Sequence, residues 1–465
     1  MKSFSTIAGL LCIIFTFGCK SSDETNLPTT VTEPEMPTTE VPTIAPTGTE
    51  KFLTEKSDYI FDQKKLPTFE LNLPARALAE IDADPSAEEY VEGSLTFEGE
   101  TISPVGIRYK GSIGAWVGCL SGNDWANPNG FKTCTKLSMK IKVNWDDSDA
   151  KFYGLKKLQF HSQNHDESQM HDRIGYWLFR KMDVPAPRAI HARLIINGKY
   201  MGLFSLVEQI DGRFTRQNFE DGEGNLYKEI WPLSDKGTRH SDNTYLNNLK
   251  TNEDENPTVE MMRTFAQEVV DASEDELQAV VDKWMNIDEV IAYAVVDRAI
   301  RNDDGAFHWY CNGGSCSPHN FYWYEEPTEQ TVHLIPWDLD NAFENIISDA
   351  NPVTPIADEW GMIRNNCEPF ANGFLGIQQR SAACDKLTRA WTMFTDKYEQ
   401  KTQEFLEGPF SEERVNEKLD EWTAQIRAAT EEASNAHGDA ITMDEWESSV
   451  EQLRSQLNWA RLKLQ

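Results

Sequence analysis

Apolar residues in the first half of the chain mostly alternate with polar ones, and in the second half they recur at helical spacing. Phe69–Leu73, Gly93–Phe97 and Ile107–Lys110 read as strands, and Pro74–Asp82 as a short helix with proline in its first turn. Gly111–Thr135 is a long loop, and Lys136–Val143 returns to strand. There Met139, Ile141 and Val143 share one face, with Ser138, Lys140 and Lys142 on the other. In Asp166–Asp183, the spacing of Met170, Ile174, Trp177, Leu178 and Met182 predicts a helix that Val184-Pro185 ends. Ile190–Ile196 and Tyr200–Val207 flank Asn197-Gly198, a strong hairpin signal. Ile287–Arg301 and Glu412–Ala429 read as helices, the second with Val415, Leu419, Trp422 and Ile426 as its apolar stripe. The last helix opens with Thr442 and Glu445 at capping-box spacing, and its stripe is Trp446, Val450, Leu453, Leu457, Ala460 and Leu464. Both stripes predict core packing rather than a docking face. The pattern as a whole predicts an α+β chain, β-rich first and helix-rich second, joined near residues 210–240.

Ahead of residue 50 the pattern changes. Lys2 is the only charge before an apolar run, Ile7–Phe17, which leads into Gly18-Cys19. The run is too short to span a bilayer, which takes about 20 residues. It resembles a bacterial lipoprotein signal (residues 1–18) cleaved before a lipid-modified Cys19. Thr16 and Phe17 depart from the usual residues there, so ordinary secretion is the alternative. The segment that follows, to residue 50, is rich in Thr, Pro and Glu and reads as an extended spacer. Of eight cysteines, Cys12 and Cys19 belong to the signal, and six form three close pairs: Cys119/Cys134, Cys311/Cys316 and Cys367/Cys384. In an exported chain such a set predicts disulfides, here paired by proximity although six cysteines allow about 15 connectivities.

Composition narrows the function. The 465 residues include 44 Lys+Arg against 76 Asp+Glu, a net charge of −32. That excludes a general binder of nucleic-acid backbone and argues against docking on anionic lipid through the protein surface. Membrane contact is therefore expected only through a lipid at Cys19. With 39% hydrophobic and 11% aromatic residues, the body of the chain has enough apolar surface to fold.

Candidate chemistry concentrates between Asp297 and Phe343. His319-Asn320-Phe321-Tyr322-Trp323-Tyr324 and Thr331–Trp337 flank a polar turn and predict a hairpin. The start of its first strand lies beside the end of the second, so Asn320 and Asp338 arrive at one end, where Asp304 can enter from the preceding loop. Two Asp and one Asn converging in this way suit phosphoryl transfer, in which one Asp faces the acceptor hydroxyl and the others hold Mg²⁺. Turns also favour Asp and Asn for conformational reasons alone, and that reading stays open. His161, His165 and His171 read as polar loop histidines, because no Cys or carboxylate cluster completes a metal set. Glu208 is equally a ligand contact or a strand-end ion pair. Trp309, Tyr310, Trp323 and Tyr324 read as core, and no GxSxG hydrolase motif is present.

These segments together resemble the CotH kinase family of atypical protein kinases, over roughly Leu66 to the C-terminus. The motifs, in family order, begin with GIRYKGS (106–112), KLSMKIKV (136–143), FYGLKKLQF (152–160) and the stretch 166–211. GNLYK (224–228), DRAIRNDDG (297–305), HNFYWY (319–324) and IPWDLDNAF (335–343) follow. The resemblance implies a bilobal kinase-like domain over 51–465, with an N-lobe at about 66–210 and a C-lobe at about 211–465. It implies transfer of phosphate from ATP, with Mg or Mn, to a Ser or Thr hydroxyl of a protein. Asp304 matches the catalytic Asp, Asn320 and Asp338 match metal positions, and Asp340 is a second candidate. Lys136 and Lys140 match phosphate-contacting lysines, and Glu208 lies in the adenine-receiving hinge, Val207–Gln209. Three features depart from the family pattern: the cysteine loop 311–316, His171-Asp172 where members often carry Arg-Glu, and Lys110 where Arg is also common. Two alternatives remain: a non-catalytic surface lipoprotein that binds or assembles envelope or coat, and transfer of AMP in place of phosphate.

Overall fold

The computed structural model describes residues 56–112, 114–124, 127–253, 257–343, 359–372 and 376–465. The export signal and the spacer lie outside them.

The chain is α+β, and its largest sheet closes on itself. Seven strands form a barrel in the order β1 (Thr68–Asn72), β2 (Val91–Phe97), β3 (Glu100–Tyr109), β4 (Met139–Lys142), β5 (Lys157–His161), β7 (Lys199–Val207), β6 (Ala189–Ile196). Neighbours run antiparallel except β1 and β6, whose parallel pairing of Phe69 with Leu194 and Leu71 with Ile196 closes the cylinder. Closure leaves no free sheet edge. Asn197 and Gly198 take positive φ (49° and 76°), and they join β6 to β7 through the pair Ile196 and Lys199. Inward residues fill the barrel: Phe69, Leu71, Ile107, Ile141, Phe160, Ala192, Leu194 and Leu206 are all buried.

A second core joins the helices to two small sheets. The helix Ile287–Ala299 is buried along nearly its whole length, capped by the Asn286 side chain, which accepts from the Glu289 N–H. Around it lie the sheet β12 (Thr331–Pro336), β11 (Phe321–Glu326), β8 (Leu226–Lys228) and the sheet β10 (Ser315–Ser317), β9 (Trp309–Asn312), β14 (Ile377–Arg380), β13 (Phe370–Asn372). The second half is thus less purely helical than its periodicity predicts. Trp309, Trp323 and Tyr324 are buried in this core, as expected, whereas Tyr310 is half-buried; Trp231 packs edge-on against Trp309, Trp323 and Trp391.

The predicted helix over 166–183 begins later, at His171. Asp166 is the reason: its carboxylate accepts the N–H groups of Gln169 (2.9 Å) and His171 (2.7 Å), folding 166–170 into a tight turn. The helix His171–Lys181 buries Ile174, Leu178 and Phe179 in the second core while also touching β6. The C-terminal helices Glu412–Ala436 and Met443–Leu464 bury the predicted stripes except Leu464, which is half-buried, and Thr442 and Glu445 form the capping box. The first of the two lies against β7, where Tyr200 donates to the Ala429 carbonyl at 3.0 Å. All three disulfides form as paired by proximity: 119–134, 311–316 and 367–384. Among the described residues, no helix is long and apolar enough to cross a membrane.

Candidate functional site

The hairpin β11–β12 pairs from Phe321 with Pro336 to Glu326 with Thr331. One residue beyond that register, the Trp337 N–H donates to the Asn320 carbonyl at 3.1 Å, so Asn320 and Asp338 do share one end. Both take φ of 53°, a left-handed conformation that Asn and Asp tolerate better than most residues.

Asp304 reaches the same end from a loop that is locked from beneath. The Asn302 amide donates to the Asp297 carboxylate at 2.9 Å, and the Gly305 N–H donates to the Asn302 carbonyl at 3.0 Å. A Cβ on Gly305 would lie 2.3 Å from Asn302 Nδ2 and 2.8 Å from Asp297 Oδ2, so this packing requires glycine. The loop thereby aims Asp304 at Asn320, whose Nδ2 donates to Asp304 Oδ2 at 2.8 Å. The Asp338 loop is tied to the helix His171–Lys181 at three points. Its N–H donates to Tyr176 Oη at 3.0 Å, Leu339 lies over Gly175, and the Asp340 carbonyl is 2.9 Å from His171 Nδ1.

Burial pushes the Asp304 carboxyl up to about 7, and the charges of Asp338 and Glu229 add to that, against the Asn320 hydrogen bond. The Asp338 carboxylate and the Asn320 amide oxygen are hard donors of the kind that Mg²⁺ or Mn²⁺ takes, and they leave positions for water and phosphate. The mutual repulsion of Asp304 and Asp338 is what a divalent cation relieves. Among the described residues, no three His, Cys, Asp or Glu side chains are grouped to hold a metal by themselves.

Facing the carboxylates is Lys110, at the end of β3. Burial lowers its pKa, while Asp338 and Asp172 raise it. Its Nζ lies 2.8 Å from His161 Nε2, and His161 Nδ1 lies 3.1 Å from Asp172 Oδ2. Lys140, on β4 beside Arg108 and Gln159, belongs to the same basic face; burial, then Lys110, Lys157 and Arg108, bring it down to about 7.

The structure does not bring Lys136 to this cluster. Its Nζ donates to the Leu203 carbonyl at 2.9 Å and packs on Phe204, and its charged neighbours are Asp166 and Asp439. Glu208 is buried with its carboxylate held by Arg188 (2.6 and 2.9 Å) and Arg213 (2.9 Å), which is the ion-pair reading of that residue. Asp340 lies one turn of chain beyond Asp338, close enough for its charge to act on Tyr176. His165 is a surface-loop histidine on the Gly114 carbonyl, but His161 and His171 are buried, contrary to the loop reading. Sequence reasoning passed over Lys110, His161 and Glu229 as site residues. Lys110 lies within GIRYKGS, and His161 and Glu229 directly follow FYGLKKLQF and GNLYK. Glu229 sits on the outer side, with its N–H on the Phe321 carbonyl at 3.1 Å.

No curated protein matches the chain significantly. A family model described as CotH kinase protein matches residues 107–462, which takes in every element just described around Asp304. The chain therefore belongs to the CotH kinase family.

Proposed function

We propose that the protein is an exported kinase that moves the γ-phosphate of ATP to a Ser or Thr hydroxyl of another protein, with Mg or Mn. The observation that carries this reading is the convergence of Asp304, Asn320 and Asp338 opposite Lys110. In it the barrel side, about 66–210, covers the nucleotide, and 211–465 receives the acceptor. Asp338 and Asn320 would hold the metal, with Asp340 as the second candidate carboxylate. A bound divalent cation neutralises phosphate charge and keeps the transferring group in line. Lys110 and Lys140 contact the phosphates in place of Lys136, and the backbone of Val207–Gln209 receives adenine, with the Glu208 carboxylate engaged by Arg188 and Arg213 instead of the nucleotide. Asp304, whose proton affinity burial raises, accepts the proton of the acceptor hydroxyl in its carboxylate form. Three disulfides favour an oxidising compartment, and Cys19 supplies the lipid anchor in the cell envelope.

The test is incubation of the purified protein with Mg²⁺ or Mn²⁺ and ATP labelled separately at the γ- and α-phosphates. Protein-bound label from γ supports the kinase. Label from α means AMP transfer, and no label with either nucleotide leaves the binding or assembly protein. For the anchor, Cys19→Ser should move the protein from the membrane fraction to the soluble one.

A further inference from the structure

Lys110 does not meet Asp172, in the helix His171–Lys181, directly. The ring of His161 stands between them, 2.8 Å from Lys110 Nζ on one side and 3.1 Å from Asp172 Oδ2 on the other. His161 and Asp172 are buried and Lys110 is half-buried, with His161 at the end of β5 and Asp172 in the first turn of the helix His171–Lys181. A lysine ammonium can only donate, so the ring nitrogen facing it must be the acceptor. That places the ring proton on Nδ1, where it points at a carboxylate that can only accept. Asp172 is held below the usual carboxylate range, against the upward push of burial, by His161, the Ser205 hydroxyl and Lys110.

The ring is also clamped against the carboxylate loop. Trp337, the residue before Asp338, packs edge-on to His161 at 5.7 Å and lies 5.4 Å below Lys110 Nζ. Lys110, His161 and Trp337 therefore pack as one cluster beside Asp338. An aspartate side chain is short, and the imidazole spans the distance that it cannot. One of the three ammonium protons is used on the ring, leaving two for an anion.

We propose that His161 is a positioning residue: its neutral Nδ1–H imidazole relays Asp172 to Lys110 and holds that ammonium toward the phosphates of the nucleotide. The proposal rests on the nucleotide-transfer reading of the site, and its test separates the two. Mg·ATP affinity is measured by calorimetry, and γ-label transfer is followed, for Lys110→Ala, His161→Phe and His161→Gln in the full chain. The phenyl ring keeps the shape without nitrogens, whereas the glutamine amide can both accept and donate. His161→Phe should lose on the order of 10-fold or more in Mg·ATP affinity and transfer, and His161→Gln should recover most of it. If His161→Phe equals the parent while Lys110→Ala is defective, the relay is wrong and the nucleotide site stands. If Lys110→Ala also equals the parent, the nucleotide site itself is wrong. Should both histidine variants misfold, nitrogen-15 spectra of the unmutated protein still decide, because a His161 ring protonated at Nε2 overturns the relay.

Discussion

Asp304, Asp338 and Asp340 lie within a few residues of one another in space yet should behave differently when removed. On the proposed assignment Asp338 is a metal carboxylate, so Mg²⁺-dependent ATP binding should disappear in calorimetry of Asp338→Ala. Asp304→Ala removes a group that acts in the transferring state, so ATP binding should survive while turnover falls on the order of 10²-fold or more. Asp340→Ala decides which carboxylate of the Trp337–Asp340 loop matters, and an effect as large as that of Asp338→Ala would give Asp340 the metal role. Glu208 makes a contrasting case. Its carboxylate serves Arg188 and Arg213, and Arg188 also reaches Asp58 at 2.6 Å. Glu208→Ala strands a buried guanidinium, so denaturant unfolding should show a loss of about 3–5 kcal/mol. Mg·ATP affinity per folded molecule should change little. A large loss of affinity with unchanged stability would return Glu208 to direct contact with the nucleotide.

Among the elements, the sheet β8–β11–β12 carries the site and is held by a buried carboxyl at its far end. Glu325 accepts from Asn225 (2.9 Å), the Tyr227 hydroxyl (2.9 Å) and the Met262 N–H (2.7 Å), joining β8, β11 and the helix Glu260–Asp271. Burial pushes this carboxyl up from 4.5 to about 7, and the three donors offset part of the shift. The folded protein therefore retains a proton that the unfolded chain has already released. The stability this confers is complete below pH 4.5 and is lost as pH rises through 7. Melting temperatures of Glu325→Gln, compared with the parent from pH 4.5 to 8, should rise relative to the parent across that window. A difference independent of pH would mean that the carboxyl is ionised throughout. The helix His171–Lys181 has a comparable joining role, since Tyr176, Gly175 and His171 all meet the Asp338 loop while Asp172 reaches Lys110 through His161.

For the whole molecule, the dominant quantity is the net charge of −32. Excess like charge repels itself in the compact state, and salt screens it over a Debye length of about 8 Å at physiological strength. Raising sodium chloride from ~10 to ~150 mM should therefore raise the melting temperature. A fall would mean that attractive surface pairs such as Arg193–Glu432 and Arg454–Asp420 outweigh the repulsion. Around the candidate site the charges are segregated: Asp338 and Glu229 act on Asp304, and Lys110 and Lys140 lie on the barrel face.

The sequence alone determined the features that depend on near neighbours. Asn197-Gly198 specified its hairpin, Thr442 and Glu445 their capping box, and the cysteines their partners, because each involves residues a few positions apart or a short loop. The Asn320–Asp338 meeting was legible for the same reason, since a hairpin transmits register from its turn to its open end. Where pairing is distant, periodicity was silent. Alternation places Lys136 and Lys140 on strand faces but not what stands across from them, and folding sent one to the Leu203 carbonyl and the other beside Lys110. The parallel seam between β1 and β6, the two arginines around Glu208 and the imidazole between Lys110 and Asp172 were decided only in the tertiary structure. A carboxylate's partners and its proton affinity depend on distance through space and on exclusion of water, and neither follows from spacing along the chain.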